Sequence, residues 1–342
     1  NGAALSSGAG SITLRGQGLG DRGVSMQTGS GSSIQSTTGA IALFGNAGAG
    51  TDPGIRISQL QTVSSTTGDI SMTGIAGGAG RGIEMWGQVS TTGSGTVALT
   101  GIGGTSGTGA AGIEVANGGV VQGVNGSVTL TGTGGNGAGS DNAGIKFSSG
   151  GISTTGSGTI TLVGSGGTGT STNRGVYLSG AGASITSASG NISITGTGGN
   201  GTSDSNHGIE LLGNVQTGGG GTLTLLGTAG AGTSSNRGVY VPSSGVTLSV
   251  ASGNISITGF GGNGSSDGNQ GIELQGPVTA TGAGAITIAG TGGGGTSSNH
   301  GAFFNGAGAD VTSAGGSISI TGTGGNGSSD SNRGILLGGG PI

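Results

Sequence analysis

Residues that could do chemistry are few in this sequence and lie far apart. The two histidines, His207 and His300, each precede a glycine that recurs throughout the chain. In the stacked repeat derived below they lie three coils apart, roughly 14 Å, which is too far to share a proton or a metal ion. We expect both to be exposed corner residues. Arginines hold the same position elsewhere and predict a solvated edge: Arg22, Arg81, Arg174, Arg237 and Arg333.

The pair Glu210 and Glu273 could act as the two carboxylates of a glycoside hydrolase. Their predicted separation is about 9.6 Å, close to the spacing used by inverting enzymes. However, both glutamates follow the repeat, and Tyr240 lies between them. A catalytic pair would be a local exception to a repeat, so we interpret them as surface ladder residues. We predict no catalytic residue and no enzymatic activity.

Four aspartates lie in glycine-rich turns and resemble ligands of calcium-binding repeats. The match is poor, because calcium-binding nonapeptide repeats return every nine residues and these return only in alternate coils. An Asx-type turn is the favoured interpretation, with a calcium site as the alternative. The glycine clusters lack the Gly-Lys-Ser/Thr of a phosphate loop, and we predict no cofactor. The aspartates are Asp141, Asp204, Asp267 and Asp330.

Composition excludes several classes of protein. Glycine accounts for 94 of 342 residues, only 6% are charged and 2% are aromatic, which disfavours a single round core. The net charge is −4, and no basic stripe exists, so we predict no nucleic-acid partner. No apolar run has the length of a membrane span. Such a composition could also indicate a disordered segment, and only internal order can exclude that.

A repeated motif supplies that order. An apolar-x-apolar-x-Gly pattern recurs eleven times, at intervals of 27 to 32 residues. A second motif, Gly-apolar-x-apolar, follows in every repeat, as at Gly208–Leu211, and a looser third segment carries residues such as Ile152 and Ile185. A disordered segment would not need this regularity, so the repeat excludes disorder. The first motif begins at Ile12, Ile41, Ile70, Val97, Val128, Ile160, Ile192, Leu223, Ile255, Ile286 and Ile318.

Alternation of apolar and polar residues at period two predicts short β-strands with one buried face. Each strand has too few inward residues to be stable alone, so successive repeats must stack. We therefore predict an all-β, parallel and right-handed β-helix, or β-solenoid, of eleven coils with three short strands each. Residues 1–342 are expected to form this single repeat domain, about 50 Å long.

Asparagines recur two residues before the second-motif glycine in the last seven coils. Stacked amides can hydrogen-bond along the axis, and asparagine tolerates the left-handed backbone of a corner. We predict a structural ladder rather than a ligand groove. Outward residues of these coils also alternate in pairs, which indicates an evolutionary unit of two coils. The ladder comprises Asn142, Asn173, Asn206, Asn236, Asn269, Asn299 and Asn332.

Four aromatic residues are candidates for contact with a sugar or another surface. Three of them, Tyr177, Tyr240 and Phe303, hold equivalent positions in alternate coils, whereas Trp86 stands outside the repeat. They support an alternative function, a glycan- or surface-binding adhesin module. A further alternative is ice binding, because most coils carry Ser or Thr on the outward face of the first motif.

The repeated blocks resemble the glycine-rich β-strand repeats of large bacterial surface proteins of the filamentous-haemagglutinin type. Those blocks are Gly190–Gly196, Gly253–Gly259 and Gly316–Gly322. The resemblance implies a bacterial, extracellular or cell-surface location and a role as a rigid rod or adhesin. Coils of about 31 residues are longer than the family's usual coils.

Our leading hypothesis is a structural β-solenoid that acts as a stalk, adhesin segment or self-assembling fibre. The chain shows no polar caps, so we expect open strand edges on both terminal coils. Those edges predict end-to-end or lateral self-association, or continuation in a longer chain. We predict no membrane span.

Overall fold

The computed structural model describes residues 2–27, 29, 31–180, 182–329 and 331–338. All regular secondary structure in these segments is β-strand, in 33 short strands, and none of it is helical. The strands form three parallel sheets, which we name A, B and C in the order in which each coil visits them. This architecture confirms the prediction of an all-β parallel solenoid with eleven coils and three strands per coil.

Sheet A contains the looser third segment. Its strands are β1 (Ala4–Ser7), β4 (Ser33–Ser36), β7 (Thr62–Ser65), β10 (Gln88–Thr91), β13 (Val120–Gly123), β16 (Gly150–Thr154), β19 (Ala183–Ser187), β22 (Asn214–Thr217), β25 (Leu248–Val250), β28 (Val278–Ala280) and β31 (Val311–Ser313).

Sheet B contains the first motif. Its strands are β2 (Ile12–Gln17), β5 (Ile41–Asn46), β8 (Ile70–Ile75), β11 (Val97–Ile102), β14 (Val128–Thr133), β17 (Ile160–Ser165), β20 (Ile192–Thr197), β23 (Leu223–Thr228), β26 (Ile255–Phe260), β29 (Ile286–Thr291) and β32 (Ile318–Thr323).

Sheet C contains the second motif. Its strands are β3 (Val24–Met26), β6 (Ile55–Ile57), β9 (Ile83–Met85), β12 (Ile113–Val115), β15 (Ile145–Phe147), β18 (Val176–Leu178), β21 (Ile209–Leu211), β24 (Val239–Val241), β27 (Ile272–Leu274), β30 (Ala302–Asn305) and β33 (Ile335–Gly338). Coil 1 comprises β1 to β3, and coils 2 to 11 follow in threes.

The strands stack without a slip in register. Ile192 pairs with Ile160 on one side and with Leu223 on the other, and Ile194 pairs likewise with its counterparts. Because the side chains of a strand alternate between its faces, constant register keeps every inward residue in the core. Each coil is hydrogen-bonded to the next through all three sheets.

One continuous apolar core runs along the axis. Its inward side chains come from all three sheets and are almost completely buried. Sheet A contributes to it in every fully enclosed coil, including Val63, Val121 and Leu248, which the motif search missed. A narrow core that is refilled by every coil explains how a chain with 30% apolar residues can fold.

Two glycines approach each other where sheet B turns toward sheet C. An added Cβ on Gly196, in β20, would overlap the carbonyl oxygen of Gly208, which directly precedes β21. Equivalent overlaps would occur at the corresponding pair in every coil. This close backbone approach explains why the fifth position of the first motif and the first position of the second are always glycine.

Candidate functional site

The seven asparagines form a hydrogen-bonded column at the corner between sheets B and C, and all of them except Asn332 are fully buried. The Oδ1 of Asn206 accepts hydrogen bonds from the backbone N and the Nδ2 of Asn173, both at 3.1 Å. Asn206 in turn donates from its backbone N to the Oδ1 of Asn236, at 3.0 Å. Its Nδ2 also donates to the carbonyl of Ser203 in its own corner and to that of Ala231 in the next coil. Each amide therefore joins two coils and fixes its own corner.

The left-handed backbone at this corner lies one residue before the asparagine. The residues with positive φ are Asp141, Thr172, Ser205, Ser235, Gly268, Ser298 and Ser331. None of the seven column asparagines adopts the left-handed conformation itself, although asparagine tolerates it. The asparagine side chain makes the bonds to the neighbouring coils. The residue directly before it adopts the strained backbone conformation.

A second column, which we name the charge column, lies on the outer face of sheet C. In register along the axis it contains Arg56, Glu84, Glu114, Lys146, Tyr177, Glu210, Tyr240, Glu273 and Phe303. Charged and aromatic side chains thus stack on one another, and most of each side chain is removed from water.

The prediction that Glu210 and Glu273 are surface residues is wrong. Glu210 is only 6% exposed, because it lies in register between Tyr177 and Tyr240. Burial raises the pKa of Glu210, although the adjacent Arg174 opposes this effect. Arg174 donates a hydrogen bond from its Nε to this carboxylate. Buried carboxylates of this kind need such partners to remain charged.

The arginines of this corner are also less solvated than predicted. Arg174 and Arg237 each reach the glutamate of the following coil, Glu210 and Glu273. Each also lies over the tyrosine of its own coil, at 4.0 Å from the ring of Tyr177 for Arg174. The same tyrosine–arginine–glutamate arrangement therefore occurs twice, two coils apart. The arginines act as stacking residues between coils.

The prediction that the histidines are exposed is wrong. His207 is 2% exposed, and its ring lies 5.2 Å from that of Tyr240. Its Nδ1 accepts a hydrogen bond from the backbone N of Arg237, at 3.2 Å. Burial, followed by the charges of Arg237 and Arg174, holds the pKa of His207 well below its usual range. His300, in coil 10, is also buried, its Nδ1 accepts a hydrogen bond from the backbone N of Arg333 at 3.2 Å, and burial lowers its pKa too.

The four aromatic candidates for surface contact are half-buried and already have partners. Tyr177 and Tyr240 stack under arginines, and Phe303 contacts the ring of His300 at 5.3 Å. The guanidinium of Arg56 lies 4.6 Å from the centre of the Trp86 ring. Burial is the main cause that raises the pKa of both tyrosines. The two tyrosines therefore offer a sugar little free ring surface.

The aspartates of the acidic turns bond to the next coil. Asp204 accepts hydrogen bonds from the hydroxyls of Thr233 and Ser234, and these bonds lower its pKa. Asp267 accepts a bond from Thr296 in the same way. Asp141 instead pairs with a lysine and an arginine. Asp330 lies outside the described residues. Within the described segments no group of three potential metal ligands comes together.

The outer face of sheet B is rich in hydroxyl groups. In coils 5 to 11 the second position of each strand is always Ser or Thr, from Thr129 to Ser319. Apolar residues interrupt the neighbouring columns, and Val163, Leu226 and Phe260 are all exposed there. This face has little charge and could order water or contact another neutral surface.

Comparisons of the chain with protein-family models, with curated proteins and with solved structures gave no match. Among the described residues there is also no helix with the length and apolarity to cross a bilayer.

Proposed function

We propose that this chain is a structural β-solenoid that acts as a rigid rod, as a stalk, an adhesin segment or part of a fibre. The observation that supports this function is the unbroken register of eleven coils around one core. Nearly all the chemistry-bearing side chains of the described segments are used to join one coil to the next. A molecule built in this way resists bending and holds its two ends a fixed distance apart.

The rigidity has three sources that act in parallel. Backbone hydrogen bonds join neighbouring coils in all three sheets, and the asparagine column adds buried amide bonds at one corner. The charge column adds ion pairs that cross from one coil to the next. Separating two coils would break all three sets together, so the cost of local opening is high.

An extracellular, bacterial location is part of this proposal. Its support is the resemblance of the repeated blocks to surface proteins of the haemagglutinin type. The lack of cysteine and the low charge agree with that class of repeat. In such a setting the terminal coils would stack on further coils, either of a longer chain or of a second copy. The strands of coils 1 and 11 each have a single neighbour within the described residues.

Immunogold electron microscopy of the source cells tests this function directly. An antibody raised against the folded chain should label rods, stalks or fibres outside the cell surface. Negative-stain images of the purified chain should show rods of constant width, about 50 Å long for eleven coils. Label confined to the cell interior, or compact round particles, would contradict the proposal.

The column of Ser and Thr at the second strand position of sheet B, in coils 5 to 11, favours ice binding as a second candidate function. A regular array of Ser and Thr hydroxyls with little charge could match water molecules at an ice surface. Thermal hysteresis of the purified chain should then be measurable, and should fall when Thr161 and Thr224 are both changed to Leu. If the unmodified chain shows no thermal hysteresis, this candidate is excluded.

A further inference from the structure

The outer face of sheet B carries almost no charge. Each of its strands presents three outward side chains, at its second, fourth and sixth positions. Among all these positions only Arg15, in coil 1, is charged, and most of the others are Ser or Thr. Covering such a face costs less than covering a charged one, because no ion has to lose its hydration. The face is therefore suited to contact with another neutral surface.

The exposed apolar side chains of the enclosed coils are concentrated on this face. In the described part of coils 2 to 10, six large apolar residues are exposed, and all of them except Leu60 lie here. Apolar side chains clustered in this way mark contact surfaces, whereas scattered ones do not. The residues on the face are between 37% and 42% exposed, and they are Ile75, Ile102, Val163, Leu226 and Phe260.

The apolar residues are distributed symmetrically along the axis. Counting alanine, they hold outward positions of sheet B in coils 2, 3, 4, 6, 8, 9 and 10, and in no other coil. This set of coils is symmetric about coil 6. A two-fold interface uses the same patch on both copies, so that residue i contacts j and j contacts i. With antiparallel axes and coil 6 opposite coil 6, every coil that has an apolar outward residue would face another such coil.

The large apolar residues also match one another in this arrangement. A two-fold rotation about the strand direction reverses the order of the coils and keeps each position along the strand. Ile75 in coil 3 would therefore face Phe260 in coil 9, since both hold the sixth position. Val163, at the fourth position of coil 6, would face its own copy. Ile102 and Leu226 lie at neighbouring positions of coils 4 and 8, which also face each other.

A recess beside Ile75 offers space for an aromatic ring of the second copy. Its volume is about 380 Å³, and its lining includes Phe44, Thr73 and Ile75. Arg15 borders it, with the guanidinium 4.0 Å from the centre of the Phe44 ring. The exposed ring of Phe260 would lie opposite this recess in the antiparallel arrangement. The face therefore offers both a projecting ring and a space that could receive it.

The size of the face agrees with that of a dimer interface. Coils 2 to 10 extend about 40 Å along the axis, and strands of six residues extend about 20 Å across it, which gives about 800 Å² per copy. Stable interfaces commonly bury about this area on each partner. The Ser and Thr side chains are short, and threonine has few rotamers, so little side-chain freedom is lost on contact.

We propose that two copies of this chain pair through the outer faces of their sheets B, with antiparallel axes and coil 6 opposite coil 6. The inference rests on the rod function proposed above, because only a rigid stack keeps nine coils of two copies opposite each other. Pairing would cover the hydroxyl column that ice binding requires, so a paired chain would not bind ice through this face.

Sedimentation equilibrium of the purified chain should show a reversible dimer. Val163→Arg places two cations opposite each other at the two-fold axis and should weaken the dimer at least about thirtyfold. An arginine fits this column, since Arg15 holds the equivalent position in coil 1. Ser153→Arg, in the same coil but on the outer face of sheet A, is the matched control and should pair as the unmodified chain does. Circular dichroism should show that both variants remain folded.

A complementary pair of variants tests the register of the two copies. Ile75→Lys and Phe260→Glu should each weaken the homodimer, because each places a charge against an apolar side chain. Mixed in equal amounts, the two variants should form a heterodimer at least about tenfold more tightly than either homodimer, because the lysine then faces the glutamate. Native mass spectrometry distinguishes the heterodimer from the two homodimers by mass.

Three results would overturn the proposal. They are a monomer at every soluble concentration, equal weakening by Val163→Arg and Ser153→Arg, and a mixture with no preference for the heterodimer. A monomeric chain with thermal hysteresis would assign this face to ice instead. Single rods in the electron micrographs would refute pairing and leave the rod function intact, whereas compact round particles would contradict both.

Discussion

Coils 1 to 3 and coils 5 to 11 use different interactions at the corner between sheets B and C. In the first three coils this corner is short, at six to eight residues, as in 18–23 and 76–82. Ion pairs join these coils, including Arg22 with Asp52 at 3.0 Å and Arg56 with Glu84. In coils 5 to 11 the corner has ten or eleven residues, and the asparagine column joins them.

Corner length explains this difference. A longer corner leaves more backbone N–H and C=O groups outside the strand ladders, and buried groups of this kind need partners. A stacked asparagine supplies both a donor and an acceptor in every coil. Coil 4 marks the transition, because it has a long corner but has Ala110 at the column position. The backbone N of Ala110 donates to the first asparagine, Asn142, at 3.1 Å.

The largest effect is expected from loss of one column amide. Asn206→Ala removes the acceptor of two groups on Asn173 and the donor to two carbonyls. Several buried polar groups would lose partners, so the free energy of unfolding should fall by about 3 to 5 kcal/mol. Guanidinium denaturation measures this. Asn200→Ala, at an exposed position of the same corner, is the control and should cost less than about 0.5 kcal/mol.

In the N-terminal coils, loss of one buried carboxylate should destabilise the chain somewhat less than loss of a column asparagine does in the C-terminal coils. Glu84 is almost fully buried and pairs with Arg56 and Arg81. Glu84→Gln leaves Arg56 without a charged partner and Arg81 with Glu114 alone, and we expect a loss of about 2 to 4 kcal/mol in the same assay. Asp21→Asn, where the side chain is 76% exposed, should be nearly neutral. Equal effects of these two variants would show that the ion pairs do not join the coils.

The C-terminal coils contain both histidines, so their stability should depend on pH. Because the folded chain lowers the pKa of His207, the unfolded chain takes up a proton first as the pH falls below about 6.5. Stability should therefore decrease toward acid, by up to about 1.4 kcal/mol per pH unit for this residue. The raised pKa of Glu210 acts in the opposite direction at lower pH, so the measurement belongs between pH 6.5 and 5.5.

His207→Gln is the matching variant, because Gln270 holds this position two coils further on. Denaturation midpoints of this variant should fall less steeply over that pH range than those of the unmodified chain. An unchanged slope would show that His207 takes up its proton without opening the fold.

The smallest effect is expected from relief of backbone strain. Ser298 has a φ of 56°, and the equivalent residue of the preceding coil is Gly268. Ser298→Gly should raise the free energy of unfolding by about 0.5 kcal/mol, because glycine adopts this conformation without a Cβ clash. Ser265→Gly, in a corner residue without positive φ, should be neutral or destabilising. If Ser298→Gly lowers the free energy of unfolding as much as the control does, the backbone at this position is not strained.

The sequence predicts the strands of sheets B and C accurately, because their alternation and glycines recur in all eleven coils. The prediction of sheet A is incomplete, because strands such as β7 and β13 have one inward apolar residue and no fixed glycine. Burial of the charge column could not be predicted. The exposure of Glu210 depends on the rings of adjacent coils, which lie about 30 residues away in sequence.

Coils 6 to 9 are joined in pairs, because the tyrosine–arginine–glutamate arrangement of the charge column repeats every second coil. Deletion of residues 192–254 removes two coils and places Tyr177 and Arg174 next to Glu273, which repeats the native arrangement. Deletion of residues 192–222 removes one coil and places Arg174 next to Arg237 with no glutamate between them. Both deletions keep the first-motif register, so they differ in the phase of the columns and in length.

Guanidinium denaturation of the two deletion variants tests this most directly. We predict that the longer deletion unfolds close to the midpoint of the full chain. The shorter deletion should unfold at a clearly lower denaturant concentration, although it retains more coils. If the single-coil deletion is as stable as the two-coil deletion or more so, the charge column does not set the pairing of coils.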